Sequence, residues 1–246
     1  MLRAVLLAAG MGTRLASASG GIAKALVTVR GRPLVAHQLT TLRAAGFRDN
    51  EIVVVGGFQH AEVAAVVRRE APGATIVENR QYRHQNLLSL LSAREHLQGG
   101  FLLVNVDHLM PPAIHKKALG HPRPVIACID HDRPLGADDM KVACDQNGDL
   151  RAISKQLSVF DRGYVGMTRV HAEAVPGYLA AADAVLADIG PERAVVEMIL
   201  GRLATTGAPP ALCDISGHRW AEVDTPDELA AAEALLAATP GFFDPA

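Results

Sequence analysis

The sequence predicts an α/β fold with a Rossmann-like, mixed but mainly parallel sheet and helices on both faces of the sheet. Short apolar runs alternate with stretches of helical periodicity between residues 4 and 105, a pattern typical of parallel strands joined by right-handed crossovers. Several of these runs end in glycine or in a polar residue. Ligands of such sheets bind at the carboxyl ends of the strands, so we expect a binding site along that edge.

The composition limits the classes of partner. With 246 residues, 49% of them hydrophobic, the chain can form one large domain with a substantial core. Its net charge of −2 comes without a basic run, so nothing indicates a nucleic-acid partner. Three scattered cysteines without metal or redox spacing favour a reducing, cytoplasmic compartment. No apolar stretch approaches the roughly twenty residues of a membrane-spanning helix, so we expect a small-molecule partner and no membrane insertion.

The first predicted element is a buried strand, formed by the apolar run at residues 4–9, which leads into a glycine turn. Gly10 and Gly12 have no side chain, so backbone amides there can approach phosphate oxygens closely, and Arg14 and Lys24 can add positive charge. The pattern therefore predicts an anion-binding turn. A dinucleotide fingerprint would need a third glycine, which this turn lacks. The Gly-x-Gly pattern alone also leaves open an ordinary turn whose glycines serve geometry only.

The elements that follow alternate as the fold class requires. In order, they are a helix after Pro33 that stops at Gly46, a strand at 52–55, a helix at 60–69, a strand at 74–77, a helix at about 87–97 and a strand at 101–104.

From residue 125 the pattern changes to shorter strands at 125–129, 141–144 and 150–153, the last two joined by a hairpin signal at 146–149. We expect this region to extend the sheet and to cover a second ligand. Helices follow at about 171–187 and 191–203. The first is rich in alanine, which makes it either a packing element or the surface of a homodimer.

The last helix has a clear start signal. Thr225 as N-cap, Pro226 at the first helical position and Glu228 three residues after the cap form a capping box. Asp224 is not needed for this cap, so its carboxylate is free for another role.

Two linked segments, Leu7–Leu15 and Lys24–Leu34, closely resemble the signature of the sugar-phosphate and alcohol-phosphate nucleotidyltransferases. This resemblance implies the nucleotide-diphospho-sugar transferase type of the α/β fold, with the glycine loop wrapped around a nucleoside triphosphate. Arg14 and Lys24 would then be catalytic residues that neutralise the triphosphate. Ala23 stands where many relatives have proline, which should loosen the loop without abolishing binding. The nucleotide-binding residues implied are Leu7, Ala8, Ala9, Gly10, Gly12, Thr13 and Gly57.

A polar segment at 78–91 leads into the helix at about 87–97. It resembles the Asn-x-x-Tyr…Asn-x-x-Ser-Leu segment of cytidylyltransferases that act on inositol phosphate and phosphocholine. The resemblance implies that Asn86 and Ser89 face the nucleotide or the acceptor. From the residues alone, a solvated loop with Asn86 as a helix cap is equally open.

The segment Asn105-Val106-Asp107-His108 immediately follows the predicted strand at 101–104. A carboxylate at a strand exit near a triphosphate is well placed to hold Mg²⁺, which prefers oxygen ligands and bridges to phosphates. The alternative is an aspartate that caps a turn. The family resemblance implies that Asp107 and Asp224 together hold the metal.

Two lysine-containing segments match the inositol-phosphate branch of the cytidylyltransferases. Lys141 follows Met140, and Lys155 follows Ser154, where the branch has threonine and glycine. The resemblance implies that Lys141 and Lys155 are catalytic and bind the phosphate of the acceptor. Surface lysines are common, and either lysine alone would carry no such implication.

The stretch 157–166 aligns with a segment of that branch which carries two aspartates. Only the first is present, as Asp161, and Tyr164 replaces the second. Both positions are expected to contribute to acceptor binding. A tyrosine can donate a hydrogen bond, but it is larger and uncharged at neutral pH, so the acceptor is the least determined part of the prediction.

The resemblance covers nearly the whole chain and implies a single domain, 1–246, with a nucleotide-binding half at 1–120 and an acceptor-binding half with the C-terminal helix at 121–246. It implies a standalone cytoplasmic enzyme that uses Mg²⁺ and transfers CMP from CTP to inositol-1-phosphate or a related cyclitol phosphate. Two alternatives stay open. One is another acceptor, such as phosphocholine, a phosphonate or a sugar-1-phosphate, or another nucleoside triphosphate. The other is a non-catalytic nucleotide-binding domain on the same fold.

Overall fold

The computed structural model describes residues 1–15 and 20–244. The strands are β1 (Arg3–Ala8), β2 (Thr28–Val29), β3 (Arg32–Pro33), β4 (Ile52–Gly56), β5 (Thr75–Glu78), β6 (Phe101–Asn105), β7 (His108–Leu109), β8 (Val125–Asp130), β9 (Lys141–Cys144), β10 (Leu150–Ser154), β11 (Arg162–Val170), β12 (Ala211–Asp214) and β13 (Ala221–Glu222). The α-helices are α1 (Leu34–Ala44), α2 (His60–Glu70), α3 (Asn86–Ser92), α4 (Pro112–Leu119), α5 (Val175–Ile189), α6 (Glu197–Thr205) and α7 (Pro226–Ala238).

Within the described residues, nine strands form one mixed sheet. Strands β5, β4, β1 and β6 lie side by side and are parallel. Their continuous apolar runs are explained by burial on both faces, because α1, α2, α4 and α7 cover one face while α3, α5 and α6 cover the other. In β1, Leu6 packs into the first core, and its neighbours Val5 and Leu7 pack into the second. The predicted fold class is therefore confirmed.

The parallel strands deliver their ends to one edge of the sheet. The glycine turn follows β1, Gly57 follows β4, and Asp107 follows β6. Gly57 packs against Ala9 and Tyr82, and a Cβ built on it would lie 2.5 Å from Cβ of Tyr82. The loops after β1, β4 and β5 therefore converge at this edge, where the sequence predicted a site.

The central strand β11 escapes prediction from the sequence. It runs antiparallel between β6 and β8, and its N-terminal end also pairs with β9. Two glycines and two polar residues interrupt its apolar run, although the strand is buried beyond its first residue. Arg169 tolerates this burial because it donates hydrogen bonds to the carbonyl oxygens of Ala118, His121 and Arg123.

Most predicted boundaries hold to within two residues, and the exceptions lie at helix ends. The helix expected at about 87–97 is divided into α3 and a 3₁₀ turn at Arg94–His96. Helix α6 begins six residues later than expected. Strand β12 and helix α4 were not predicted. None of the helices among the described residues combines the length and apolarity needed to cross a membrane.

The predicted capping box of α7 is confirmed. The side-chain oxygen of Thr225 accepts a hydrogen bond from the backbone N–H of Glu228 at 3.3 Å, and the carboxylate of Glu228 accepts one from the N–H of Thr225 at 2.9 Å. The same carboxylate accepts from the N–H of Asp224 at 2.9 Å. The cap therefore fixes the backbone that carries Asp224.

We expect Thr225→Ala to lower the free energy of unfolding by about 1 kcal/mol, because the N–H of Glu228 loses its acceptor. Thermal unfolding followed by circular dichroism should show a melting temperature lower by about 2–4 °C. Thr205→Ala is the matched control, because the Thr205 hydroxyl is exposed and bonds only within its own helix. Equal shifts for the two variants would contradict the capping role.

Candidate active site

Two clefts adjoin at the carboxyl edge of the sheet. The first, with a volume of about 410 Å³, lies between the glycine turn, the loop at 82–86 and the end of β6. The second, of about 230 Å³, lies beside it, under the loop before β9 and the start of α6. Residues that line both clefts are Lys24, Gln85, Asn86, Asn105 and Asp107. Two ligands bound side by side would therefore meet over this shared boundary.

An ammonium between two carboxylates occupies that boundary. The Nζ atom of Lys24 bonds to Oδ2 of Asp107 and lies 2.5 Å from Oδ1 of Asp224. Arg14 pairs with the other oxygen of Asp224. The side chains of Lys24, Asp107 and Asp224 are only 12%, 14% and 8% exposed. The sequence separates these three residues by up to 200 positions, and the fold brings them into direct contact.

Burial alone would destabilise the charged forms of this cluster, but the charges compensate one another. Burial lowers the pKa of Lys24, yet the coulombic attraction of Asp107 and Asp224 outweighs it, and that pKa is raised. Burial likewise acts to raise the pKa of Asp107, but Lys24 and His108 hold it well below its ordinary value. Lysine and aspartate are therefore both ionised at neutral pH.

Contacts with His108, which itself stacks on Trp220, orient Asp107. Nδ1 of His108 lies 2.8 Å from Oδ1 of Asp107, and the His108 ring stacks on Trp220 with centroids 5.6 Å apart. The indole N–H of Trp220 donates to Asp130 at 2.9 Å. Burial opposes the charging of His108, but Asp107 and Glu222 raise its pKa to about 8. Asp107 is thus held from both sides by cations.

The predicted nucleotide residues mostly line the first cleft. Seven of them do so, namely Leu7, Ala9, Gly10, Gly12, Thr13, Asn86 and Ser89. Ala8 is fully buried in β1, and Gly57 lies under Tyr82. Ser89 accepts a hydrogen bond from the amide of Asn79 at 2.9 Å. Asn86 is the first residue of α3 and not its cap, and its Oδ1 accepts from the N–H of Val196 at 3.0 Å.

Of the four predicted acceptor residues, two line the second cleft and two do not. Lys155 and Tyr164 line the second cleft, as Arg14 does. The ammonium of Lys141 instead donates to the carbonyl oxygens of Gly136 and Lys155, at 2.8 and 2.9 Å. Asp161 is exposed and pairs with its neighbour Arg162. The structure therefore does not bring Lys141 and Asp161 to the clefts.

Tyr164 lines the second cleft without presenting its hydroxyl group there. That hydroxyl lies 2.8 Å from Oγ1 of Thr168, within β11. A bulge in β11 separates the two residues, and Gly166 lies in it with φ +69°. A Cβ on Gly166 would lie 2.9 Å from Nδ2 of Asn105 and from Cε1 of His108. Glycine at this position is required both by the backbone conformation and by the close approach of His108.

Sequence reasoning missed four carboxylates of the second cleft, which are Asp138, Asp139, Glu197 and Glu222. Asp138 lies 3.5 Å from Arg14 and 3.9 Å from Lys155. Glu222 lies on the short strand β13, which pairs with β7, and its carboxylate is 3.9 Å from His108. Glu197 is the first residue of α6, a helix that was predicted to start at about residue 191. Acidic residues in these sequence contexts show no pattern that could have identified them as lining a cleft.

The donor set fits a magnesium ion that arrives with phosphates. Asp107 and Asp224 are both in contact with one cation, Lys24, so they can share another. In the described part of the chain, no group of three or more His, Cys, Asp or Glu side chains is arranged to hold a metal. Mg²⁺ usually takes one or two protein carboxylates and completes its shell with water and substrate phosphates.

Sequence comparisons give a consistent set of relatives. A family model described as the MobA-like NTP transferase domain matches residues 4–135, more than half of the chain. The chain is 30% identical to the bifunctional IPC transferase and DIPP synthase of Rubrobacter xylanophilus, across 95% of this chain and 51% of that protein. It is 34% identical to the CMP-5'-(3-aminopropyl)phosphonate synthase of Streptomyces rubellomurinus, across 54% of this chain and 21% of that protein. The chain thus spans about half the length, or less, of these curated relatives.

A solved structure has the same architecture. The inositol-1-phosphate CTP transferase from T. maritima matches with a TM-score of 0.82 and 20% identity, over 96% of this chain and 94% of that one. At this level of identity the likeness concerns the fold, and it confirms the predicted type of sheet and helix arrangement.

We expect Lys24→Met to lower the free energy of unfolding by about 2 kcal/mol at pH 7, because two partly buried carboxylates lose their common cation. Urea unfolding monitored by fluorescence would measure this. Lys155→Met is the matched control, since Lys155 is 43% exposed and lies 3.9 Å from Asp138, and it should change stability by less than about 0.5 kcal/mol.

Combining Lys24→Met with Asp107→Asn should cost less than the sum of the two single changes, because the second change removes one of the uncompensated charges. Additive losses would mean that the cluster is not electrostatically coupled.

Proposed function

The chain belongs to the family of the MobA-like NTP transferase domain, and on that premise we propose that it moves CMP from CTP to a phosphorylated alcohol with release of pyrophosphate. One observation carries this proposal. Lys24 and Asp107 line both clefts, so a triphosphate in the first cleft and an acceptor phosphate in the second would face each other across the same ammonium.

The glycine turn would hold the triphosphate. Gly12 has φ +64°, and a Cβ on it would lie 3.2 Å from Cβ of Lys24, so the turn packs directly on the lysine. The backbone N–H of Lys24 donates to the carbonyl oxygen of Gly10 at 3.2 Å. This bond and the close packing fix the turn against Lys24. The turn can therefore present backbone amides to phosphate oxygens without first having to be ordered.

The transfer needs positioning and charge neutralisation more than it needs a base. The second pKa of a phosphomonoester is about 6, so the acceptor already carries an anionic oxygen at neutral pH. That oxygen attacks the α-phosphorus of CTP, a new phosphorus–oxygen bond forms, and the bond from this phosphorus to the pyrophosphate oxygen breaks. Two anions must be held in line for this step. Lys24, which lines both clefts, would reduce the repulsion at the triphosphate, and Arg14 and Lys155, which line the second cleft, would do so at the acceptor phosphate.

Asp107 and Asp224 would hold Mg²⁺, which would supply positive charge to stabilise the departing pyrophosphate. The paired lysine keeps the pKa of Asp107 well below its ordinary value. The carboxylate is therefore available as an ionised oxygen ligand at any physiological pH.

The choice of CTP and of a cyclitol phosphate rests on relatives and on the lining of the second cleft. The T. maritima enzyme is named for inositol-1-phosphate and CTP, and the Streptomyces enzyme for a CMP product. Amides, carboxylates and one tyrosine ring line the second cleft, which suits an acceptor rich in hydroxyl groups. The Streptomyces relative makes a phosphonate acceptor the second candidate, because an amine could pair with the cleft carboxylates.

Pyrophosphate release tests the proposal. The protein is incubated with Mg²⁺ and each of the four ribonucleoside triphosphates, against inositol-1-phosphate, 3-aminopropylphosphonate, phosphocholine and glucose-1-phosphate. We expect release with CTP and inositol-1-phosphate. Release with CTP and 3-aminopropylphosphonate alone would favour the second candidate, and no release with any pair would contradict nucleotidyl transfer to these acceptors.

With the active pair, Asp107→Asn should lower kcat by at least about 100-fold, because it removes a charged ligand at the reacting phosphates while keeping the shape of the side chain. Asp183→Asn is the control, since Asp183 is 54% exposed and pairs with Arg94 away from the clefts. Circular dichroism verifies that both variants are folded. Asp107→Asn turnover close to that of the control would contradict the role of Asp107.

A further inference from the structure

Glu197 is the first residue of α6, and its side chain lines the second cleft together with Lys155 and Tyr164. The start of this helix is fixed by Asn86, because Oδ1 of Asn86 accepts a hydrogen bond from the N–H of Val196 at 3.0 Å. Asn86 itself begins α3. The backbone that carries Glu197 is therefore held next to Asn86, which lines both clefts.

Among the carboxylates of this cleft in the described chain, Glu197 alone has no cation within 4 Å. Asp107 and Asp224 contact Lys24. The other three also have cationic neighbours, which are Arg14 and Lys155 for Asp138, Arg133 for Asp139 and His108 for Glu222. The Glu197 carboxylate is left as a hydrogen-bond acceptor facing the space that a ligand would fill.

The charged form of Glu197 is also incompletely compensated. Burial raises its pKa, and a hydrogen bond to its own backbone N–H together with the more distant charges of His108 and Lys155 offsets this only in part. A desolvated carboxylate gains free energy when donors reach it. Tyr164 does not supply one, because its hydroxyl is engaged with Thr168. Hydroxyl groups of a ligand are donors that would fit beside Lys155 without adding a further positive charge.

From these contacts we infer that Glu197 determines acceptor specificity by accepting hydrogen bonds from the ring hydroxyls of a cyclitol phosphate, whose phosphate is bound by Lys155. This inference rests on the proposed function and deepens it, since it names the residue that distinguishes a polyol from a plain alkyl group. A site built to bond hydroxyls rejects an analogue that lacks them, because the remaining acceptor positions of the carboxylate are then left without donors.

Two acceptors of the same ring size test it, namely inositol-1-phosphate and cyclohexyl phosphate, which has the ring without hydroxyls. Wild type should prefer inositol-1-phosphate. Glu197→Gln should lower kcat/KM for inositol-1-phosphate by about 10- to 100-fold, the range expected for hydrogen bonds to a charged group. It should leave the KM for CTP and the kcat/KM for cyclohexyl phosphate within about 3-fold of wild type, because neither depends on these hydrogen bonds. Glu173→Gln is the control, since Glu173 is 69% exposed and lies outside both clefts.

Unchanged discrimination between the two acceptors in Glu197→Gln would overturn the inference while leaving the proposed transfer intact. So would an equal loss with both acceptors, because that pattern indicates a general structural defect. Glu197→Asp provides a second variant, and it should retain part of the preference because it keeps the charge.

A wild-type protein that releases no pyrophosphate would contradict the proposed function and not by itself the inference. Calorimetric titration with inositol-1-phosphate then decides it. Binding that is weaker in Glu197→Gln than in wild type supports the inference. Equal binding, or no binding to wild type, overturns it, as does a preference of wild type for 3-aminopropylphosphonate that Glu197→Gln abolishes.

Discussion

The contact of one ammonium with two carboxylates is the interaction on which the clefts depend. Lys24 comes from the turn after β1, Asp107 from the end of β6 and Asp224 from the residue before the cap of α7. Each of these charges would be costly in this partly buried place without the others. The cluster therefore ties the glycine turn, the centre of the sheet and the C-terminal helix to one point, and that point is the boundary between the two clefts.

The surrounding structure supports the cluster in layers. His108 bonds to Asp107, Trp220 stacks on His108, and Asp130 accepts the indole hydrogen bond. On the other side, the carboxylate of Glu228 caps α7 and fixes the backbone of Asp224. Such supports restrict the orientation of the two aspartates, which is what a site needs if its work is to align two anions.

Local signals in the sequence were sufficient for much of this architecture. The strand and turn around Gly10 and Gly12, the parallel strands and the capping box at Thr225 follow from patterns within a few residues, and the structure confirms them. The family resemblance of the segments around Gly10 and Lys24 is confirmed by the family match over residues 4–135. Strand β11 could not be found in this way, because the burial of Arg169 depends on three carbonyl groups about 50 residues away.

The clefts likewise contain some residues that local sequence patterns identify and others that only distant contacts bring there. Lys24, Asp107 and Asp224 belong to recognisable motifs, whereas Glu197 lines the second cleft from the start of a helix that bonds to Asn86, more than 100 residues away. Lys141 is the opposite case, a residue that a sequence pattern identifies but that does not line a cleft. Its segment matches a family pattern, yet the fold turns its ammonium to the carbonyl oxygens of Gly136 and Lys155. Sequence patterns identify side chains that could bind a ligand or take part in catalysis. The packing of the folded chain decides which of these side chains line the same cavity.

Gly166 has a consequence for how substitutions in this chain should be interpreted. It bears no functional group, but any side chain there would meet the imidazole of His108, and through it the carboxylate of Asp107. In a survey of tolerated substitutions, position 166 would therefore behave like the ionisable residues it adjoins. Intolerance to change at this position would report the positive φ of Gly166 and the space that the His108 ring requires beside Asp107, and not a chemical contribution of the residue itself.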